Sequence, residues 1–294
     1  MVECGGLENR YRRKTIEGSN PSLSEINFDK VNLMKITPQA AGRLGALKRK
    51  SLYGNFGTEE GRRKGGLVSY YRFKSNPELV LRKGFKLDKN IAIPDKTPSL
   101  AEFIGIILGD GSISDYQVRV YFNAKTDRPY ANFVKDATLR LFNIDSKIAV
   151  RLKNTLELVI SSKRLVKFLL DLGLKKGNKI AQQVDIPAWI FDKIEYSSAC
   201  LRGLIDTDGG VYFHTHTTKG IKYRNMVLCF TSRSKPLLNS VDRMFSTIGI
   251  ESKNDLLERI HVYNRVDIKK YMDIIGSHNQ NLINRFESYK GTRA

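Results

Sequence analysis

Phe103-Ile104-Gly105-Ile106-Ile107-Leu108-Gly109-Asp110-Gly111 and Leu201-Arg202-Gly203-Leu204-Ile205-Asp206-Thr207-Asp208-Gly209 are two spellings of one nine-residue pattern. Each is an apolar helical run with glycine at its third position and Asp-Gly at its end, and the segments downstream of the two copies repeat as well. Gln117 to Asn123 alternates as a strand, with Val118, Val120 and Phe122 facing in and Gln117, Arg119, Tyr121 and Asn123 facing out; Met226, Leu228 and Phe230 repeat the inward set. A helix is expected next in each copy, over 128–142 and 235–248, running into Asn-Ile-Asp-Ser-Lys (143–147) and Gly-Ile-Glu-Ser-Lys (249–253). A second strand pair and a helix (165–172 and 267–275) complete each half as α-β-β-α-β-β-α. The expected fold is therefore α+β, two pseudo-symmetric repeats over 98–194 and 195–294.

The small residues say how those helices meet. Gly105 and Gly203, with Gly109 and Thr207 one turn on, give each helix a face without bulk, so the two axes can approach closely and bring their terminal acids together. Two carboxylates at one interface repel unless cations lie between them, and Mg²⁺ is satisfied by one or two carboxylates plus water and phosphate. A single Asp-Gly at a helix end is an ordinary turn; duplication at matched positions is not.

These nonapeptides resemble the LAGLIDADG motif of homing endonucleases, and the chain is similar to the monomeric class that carries two motifs. The resemblance covers about residues 98–294 and includes Pro98-Ser99-Leu100-Ala101-Glu102-Phe103 and the join Ile186-Pro187-Ala188-Trp189. It implies a saddle-shaped antiparallel sheet platform with the two motif helices at the interface, and metal ligation by Asp110 and Asp208, assisted by the backbone carbonyls of Gly109 and Thr207, with Mg²⁺ as cofactor and Mn²⁺ as a substitute. It also implies a Lys beside the metals; Lys179, in Leu174-Lys175-Lys176-Gly177-Asn178-Lys179-Ile180, is the match, whereas the corresponding 275–281 has no Lys. The sixth motif position is Asp206 in one copy and Leu108 in the other, a departure that bears on packing more than on catalysis.

Outward strand residues are the expected readers of a DNA target: Gln117, Arg119, Tyr121, Asn123, Arg151 and Lys153 in the first half, and Tyr212, His214, His216, Lys222, Arg224 and Arg233 in the second. They are donors, acceptors and cations at alternating positions, as a sheet laid in a major groove requires. Because the halves differ at most of these positions, the expected target is long and asymmetric. The implied activity is a site-specific double-strand break by Mg²⁺-dependent phosphodiester hydrolysis. A group I intron RNA maturase on the same scaffold is the alternative, with intron RNA as partner, and a metal-free DNA-binding regulator is the third. An intein is disfavoured, since Lys290-Gly291-Thr292-Arg293-Ala294 lacks a terminal His-Asn pair.

Charge agrees with a polyanionic partner. The 294 residues carry 50 Lys+Arg against 30 Asp+Glu, a formal +20, and such a field concentrates nucleic acid without shaping the fold. Apolar residues at 41% rule out a chain disordered throughout. No apolar run of 18 or more residues and no secretory signal is present, so a cytoplasmic, membrane-free monomer is expected. Three widely spaced Cys make no disulfide framework, and His214 with His216 lacks the further ligands a zinc site needs. Residues 1–97 hold 20 Lys+Arg and 10 Asp+Glu, half of the basic excess. Within them 34–97 reads as a Gly-rich accessory DNA-binding extension with a helix over 39–52, and 1–33 as disordered. Glu17-Gly18-Ser19-Asn20-Pro21-Ser22 fits the codons GAG GGT TCG AAT CCC TCN, a tRNA T-arm, so a tRNA-derived start to the reading frame is expected.

Overall fold

The computed structural model describes residues 37–53, 57–76, 78, 90–151, 154–255 and 257–289. The expectations for 1–33, including the tRNA-like stretch, lie outside the described residues, as does Lys153. Two compact units are present, Met1–Lys83 and Gly84–Ala294.

In the first unit, α1 (Pro38–Tyr53) follows its sequence signal, whereas α2 (Glu59–Ser75) was not expected, because it runs through the Gly-rich basic stretch 61–66. Pro38 occupies the first turn of α1, while Thr58 caps α2 by accepting from the Gly61 amide at 3.1 Å. No described residue of α2 is buried.

The second unit realises the duplicated order. Its first half runs α3 (Pro98–Leu108), β1 (Gly111–Ile113), β2 (Gln117–Asn123), α4 (Arg128–Phe142), β3 (Lys147–Arg151), β4 (Thr155–Ser161) and α5 (Lys163–Asp171). After a 3-10 turn at Ala188–Asp192 the second half runs α6 (Ile194–Asp208), β5 (Gly209–Thr218), β6 (Ile221–Thr231), α7 (Lys235–Thr247), β7 (Lys253–Asn254), β8 (Arg259–Val262) and α8 (Arg265–Ile274). A further helix, α9 (Gln280–Glu287), was not expected. The strands form two separate four-stranded antiparallel sheets, ordered β1-β2-β4-β3 and β5-β6-β8-β7. Register confirms the repeat: Gly111 pairs with Val120 and Gly209 with Phe230, so the last glycine of each motif opens the first strand of each sheet.

Alternation decides which sheet face is buried. Val118, Val120, Leu156, Leu158 and Ile160 are fully enclosed in one sheet, as are Leu228, Phe230 and Ile260 in the other. Every residue of α3 from Leu100 to Leu108 is buried, which is why this helix lacks a polar stripe. Enclosing each of these eight apolar strand side chains supplies about 1.5–3 kcal/mol.

Candidate active site

The two motif helices meet backbone to backbone. A Cβ added at Gly105 would lie 2.2 Å from the Cys200 carbonyl oxygen, and one at Gly203 would lie 2.3 Å from that of Glu102. At the end of the crossing, a Cβ on Gly109 would lie 2.0 Å from the Thr207 hydroxyl. That hydroxyl donates back to the Gly203 carbonyl at 2.8 Å, so it is anchored in its own helix. The chain then folds sharply over each helix, since a Cβ at Gly111 or Gly209 would strike Ile107 or Ile205. This turn places Asp110 and Asp208 next to each other.

Charge at that point is one-sided. The Asp110 carboxyl is pushed up to about 7, first by burial and then by the charge of Asp208, with Lys179 pulling the other way. Burial also raises Asp208, again against Lys179. Lys179 approaches from the loop after α5, donating to the Leu108 carbonyl at 2.8 Å and to the Gly109 carbonyl. Burial lowers its pKa while both acids oppose that shift. The site is thus two acids that resist ionisation and an ammonium seated on the Leu108 and Gly109 carbonyls, the second of which a cation would share. A divalent ion fits this donor set: Asp110, Asp208 and the carbonyls of Gly109 and Thr207 are the groups that would hold it.

A carboxyl raised in the fold keeps a proton that the unfolded chain has released, so its ionisation reduces stability as pH climbs from about 4 through 7. A divalent cation held by the ionised pair would relieve that cost. The upward shift in Tm on adding Mg²⁺ is expected to be several degrees at pH 8 and near zero at pH 5; equal shifts in a thermal melt at both pH values would refute the assignment.

A cavity of about 160 Å³ opens at Asp110 and is lined by Asp127, Tyr130, Asn279, Asn281 and Arg285 among others. The sequence offers no Lys in 275–281, but α9 brings Arg285 here, donating to the Val211 carbonyl at 3.3 Å. Asn279 as N-cap followed by Leu282 and Phe286 four residues apart was the available signal for that helix.

Sequence reading also missed a polar knot joining the halves. Glu102 on α3 accepts from Arg202 Nη2 at 2.8 Å and meets His278 Nδ1 at 2.5 Å; Asp206 accepts from Ser277 Oγ at 2.5 Å and the His278 amide at 2.8 Å. Ligand atoms of Glu102, Asp206 and His278 lie within 4.8 Å of one another. Burial would raise the Glu102 carboxyl, but hydrogen bonds from His278 and Arg202 hold it below its usual range. Their donors already satisfy both carboxylates, so this cluster is a latch between α3, α6 and the loop before α9. Asp206, at the sixth motif position, serves that latch, while Leu108 at the same position is simply buried.

The outward faces are partly as expected. In the first sheet Gln117, Arg119, Tyr121 and Asn123 share the exposed side of β2, with Arg151 on β3. Arg119 and Arg151 are both paired with Glu157, and Asn123 Oδ1 accepts from Asn154 and from the Lys125 amide. In the second sheet Tyr212, His214 and His216 share a face with Tyr223, and the rings of His214, His216 and Tyr223 stack in series. Lys222 and Arg224 do not join them: alternation along β6 puts both on the side of Met226, where Arg224 covers the Phe213 ring at 3.9 Å. Arg233 follows β6 and pairs with Glu258 at 3.1 Å. His261 and Tyr263, stacked beside Tyr212, extend the outward face and were not anticipated.

Residues 97–173 and 195–280, more than half of the chain, match the LAGLIDADG-like domain. An A-type ATP synthase subunit of Pyrococcus abyssi is 34% identical over 134 residues, 45% of this chain, and reverse gyrase of Methanocaldococcus jannaschii is 27% identical over 200 residues, 64% of this chain. The chain spans only 13% and 11% of the lengths of those two proteins. Similar solved structures include variants of the homing endonuclease I-DmoI (TM-score 0.42, 19% identity, 61% of this chain and 95% of that one). Another is the I-SmaMI LAGLIDADG homing endonuclease bound to cleaved DNA (TM-score 0.44, 13% identity, 66% and 88%). Among the described residues no helix is long and apolar enough to cross a membrane. Both nonapeptides fall inside the matched segments and their terminal acids converge where the two helices cross, so the chain belongs to the LAGLIDADG family.

Proposed function

We propose that this protein is a site-specific DNA endonuclease that makes a double-strand break by Mg²⁺-dependent phosphodiester hydrolysis at a long asymmetric target. The observation that carries the reading is the convergence of Asp110 and Asp208, one from each half, between two sheets whose outward faces are polar and basic. A divalent cation supplies charge neutralisation at the scissile phosphate and acidifies water. Asp110 and Asp208 hold that charge in place, and Lys179 adds a cation beside the first motif. The flanking faces orient the duplex, with sequence read by side chains such as Tyr121, His214 and His216 and register set by phosphate contacts.

Asymmetry of the two halves supports a non-palindromic target. Lys179 serves one side and Arg285 lines the other, which predicts unequal rates for the two strands. The test is incubation of the full-length chain with a randomised duplex library and Mg²⁺. Recovery of one long asymmetric site cut on both strands is the expected result. Absence of DNA cutting together with splicing of a group I intron would replace this function with that of a maturase; specific binding without cutting would leave a regulator.

A further inference from the structure

Glu157 is a carboxylate in the middle of a face that is otherwise suited to a polyanion. It lies on β4, between β2 and β3, opposite Tyr121 on one side and Ala149 on the other, and is only 3% exposed. Both oxygens are engaged: Oε1 lies 3.4 Å from Arg119 Nε and Oε2 2.5 Å from Arg151 Nε. Arg119 is held a second time, donating from Nη2 to Gln117 Oε1 at 2.6 Å, and Gln117 donates in turn to Ser161 Oγ at 3.0 Å. The result is one connected line of bonds, Ser161-Gln117-Arg119-Glu157-Arg151, crossing three strands on the outward side.

The second half does the opposite at the same place. Val120 and Phe230 are equivalent because each pairs with the last glycine of its motif. The next residue along, Tyr121 or Thr231, is paired with Glu157 in one sheet and with Arg259 in the other. Arg259 is exposed and Cys229 stands where the first half has Arg119. A central anion is therefore peculiar to the first half.

We infer that Glu157 is a specificity-determining positioning residue, which fixes the planes of Arg119 and Arg151 for base recognition and keeps them from phosphates; this rests on the DNA-binding function proposed above. An unpinned Arg swings to the nearest phosphate, where it adds affinity without sequence information. A pinned one presents its terminal nitrogens in a set plane, as bidentate contact to guanine demands, with its rotamer entropy already lost. Arg151 meets Glu157 through Nε, the inner edge of the guanidinium, and among the described residues its two terminal nitrogens have no partner. Two cations sharing one anion also bring a net charge of one where two would otherwise act, which lowers non-specific grip on this half.

The test compares full-length wild type with Glu157→Gln, an isosteric change, on random-sequence duplex and on a randomised cleavage library. Loss of the anion is expected to steepen the plot of log affinity against log salt by about 0.9, and to tighten binding to random duplex about tenfold at 50 mM salt. Base preference should fall at the target positions under the first half and persist under the second, which also reports that the variant is folded. Arg151→Lys keeps the charge and removes the fork; it should lose the same base preference with the salt slope unchanged. A wild type that selects a target while Glu157→Gln selects the same one with the same slope overturns this inference alone. A wild type that retains no duplex at any salt overturns the function and the inference together.

Discussion

Asp110→Asn is expected to abolish cleavage of both strands, by at least ~10³-fold, and at the same time to raise the Tm of the metal-free protein at pH 8. The two effects share a cause. Asp110 is held at about 7 by burial and by Asp208, so above that pH the native state carries an ionised acid it disfavours, while the unfolded chain ionises the same group freely. At about 1.4 kcal/mol per pH unit, the penalty is a few kcal/mol at pH 8 and vanishes below pH 4. Asn has the same shape and no charge, so the penalty disappears with the ligand. The catalytic loss exceeds the 10²–10³ typical of removing one charge-stabilising group, because retention of the cation is lost as well. Asp208→Asn should behave in the same direction, its acid being raised by burial. Thermal melts in EDTA at pH 4 and pH 8, run beside cleavage assays, check both halves of the claim. A variant that still cuts, or that melts lower at pH 8, contradicts it.

Gly203→Ala should disrupt the protein more than any other single methyl addition on the motif helices except its counterpart Gly105→Ala. The new Cβ would lie 2.3 Å from the Glu102 carbonyl oxygen and 2.9 Å from the Ile106 nitrogen, and backbone cannot turn aside as a flexible side chain can. Overpacking of a filled interior costs about 1–3 kcal/mol, and occasionally more; contact with two backbone atoms puts this case above 3. Any molecule that remains folded must separate α3 from α6, and with them Asp110 from Asp208. Gly210→Ala is the control: its Cβ meets nothing within 4 Å, so a shift in Cm of less than a tenth of that of Gly203→Ala is expected in urea unfolding. Equal destabilisation by the two would mean that close approach of the helices is not what the motif glycines secure.

Much of this was legible before any coordinates. Element order, both motif helices, the inward set Val118, Val120 and Phe122, and the pairing of Asp110 with Asp208 all follow from local periodicity and from duplication. These are short-range signals written twice. α9 was missed because its apolar residues are few, although Asn279, Leu282 and Phe286 marked it. The misplacement of Lys222 and Arg224 was avoidable in principle, since strand alternation from Met226 assigns both to the inner side.

Other features were beyond a linear reading. Glu102 and His278 are 176 residues apart, and nothing in either neighbourhood announces the other. The same holds for Glu157, whose charge reads as a solvated strand residue until β2 and β3 close over it with Arg119 and Arg151. The sequence by itself determined a duplicated α+β chain with paired acids on small-faced helices, because helix and strand periods and the size of glycine act within a few residues. Which carbonyls Lys179 rests on, that Arg285 lines the cavity beside Asp110, and which arginines are already spoken for by a buried carboxylate, only the tertiary structure decided: those depend on distances between strands and halves, set when the core closes around the crossed helices.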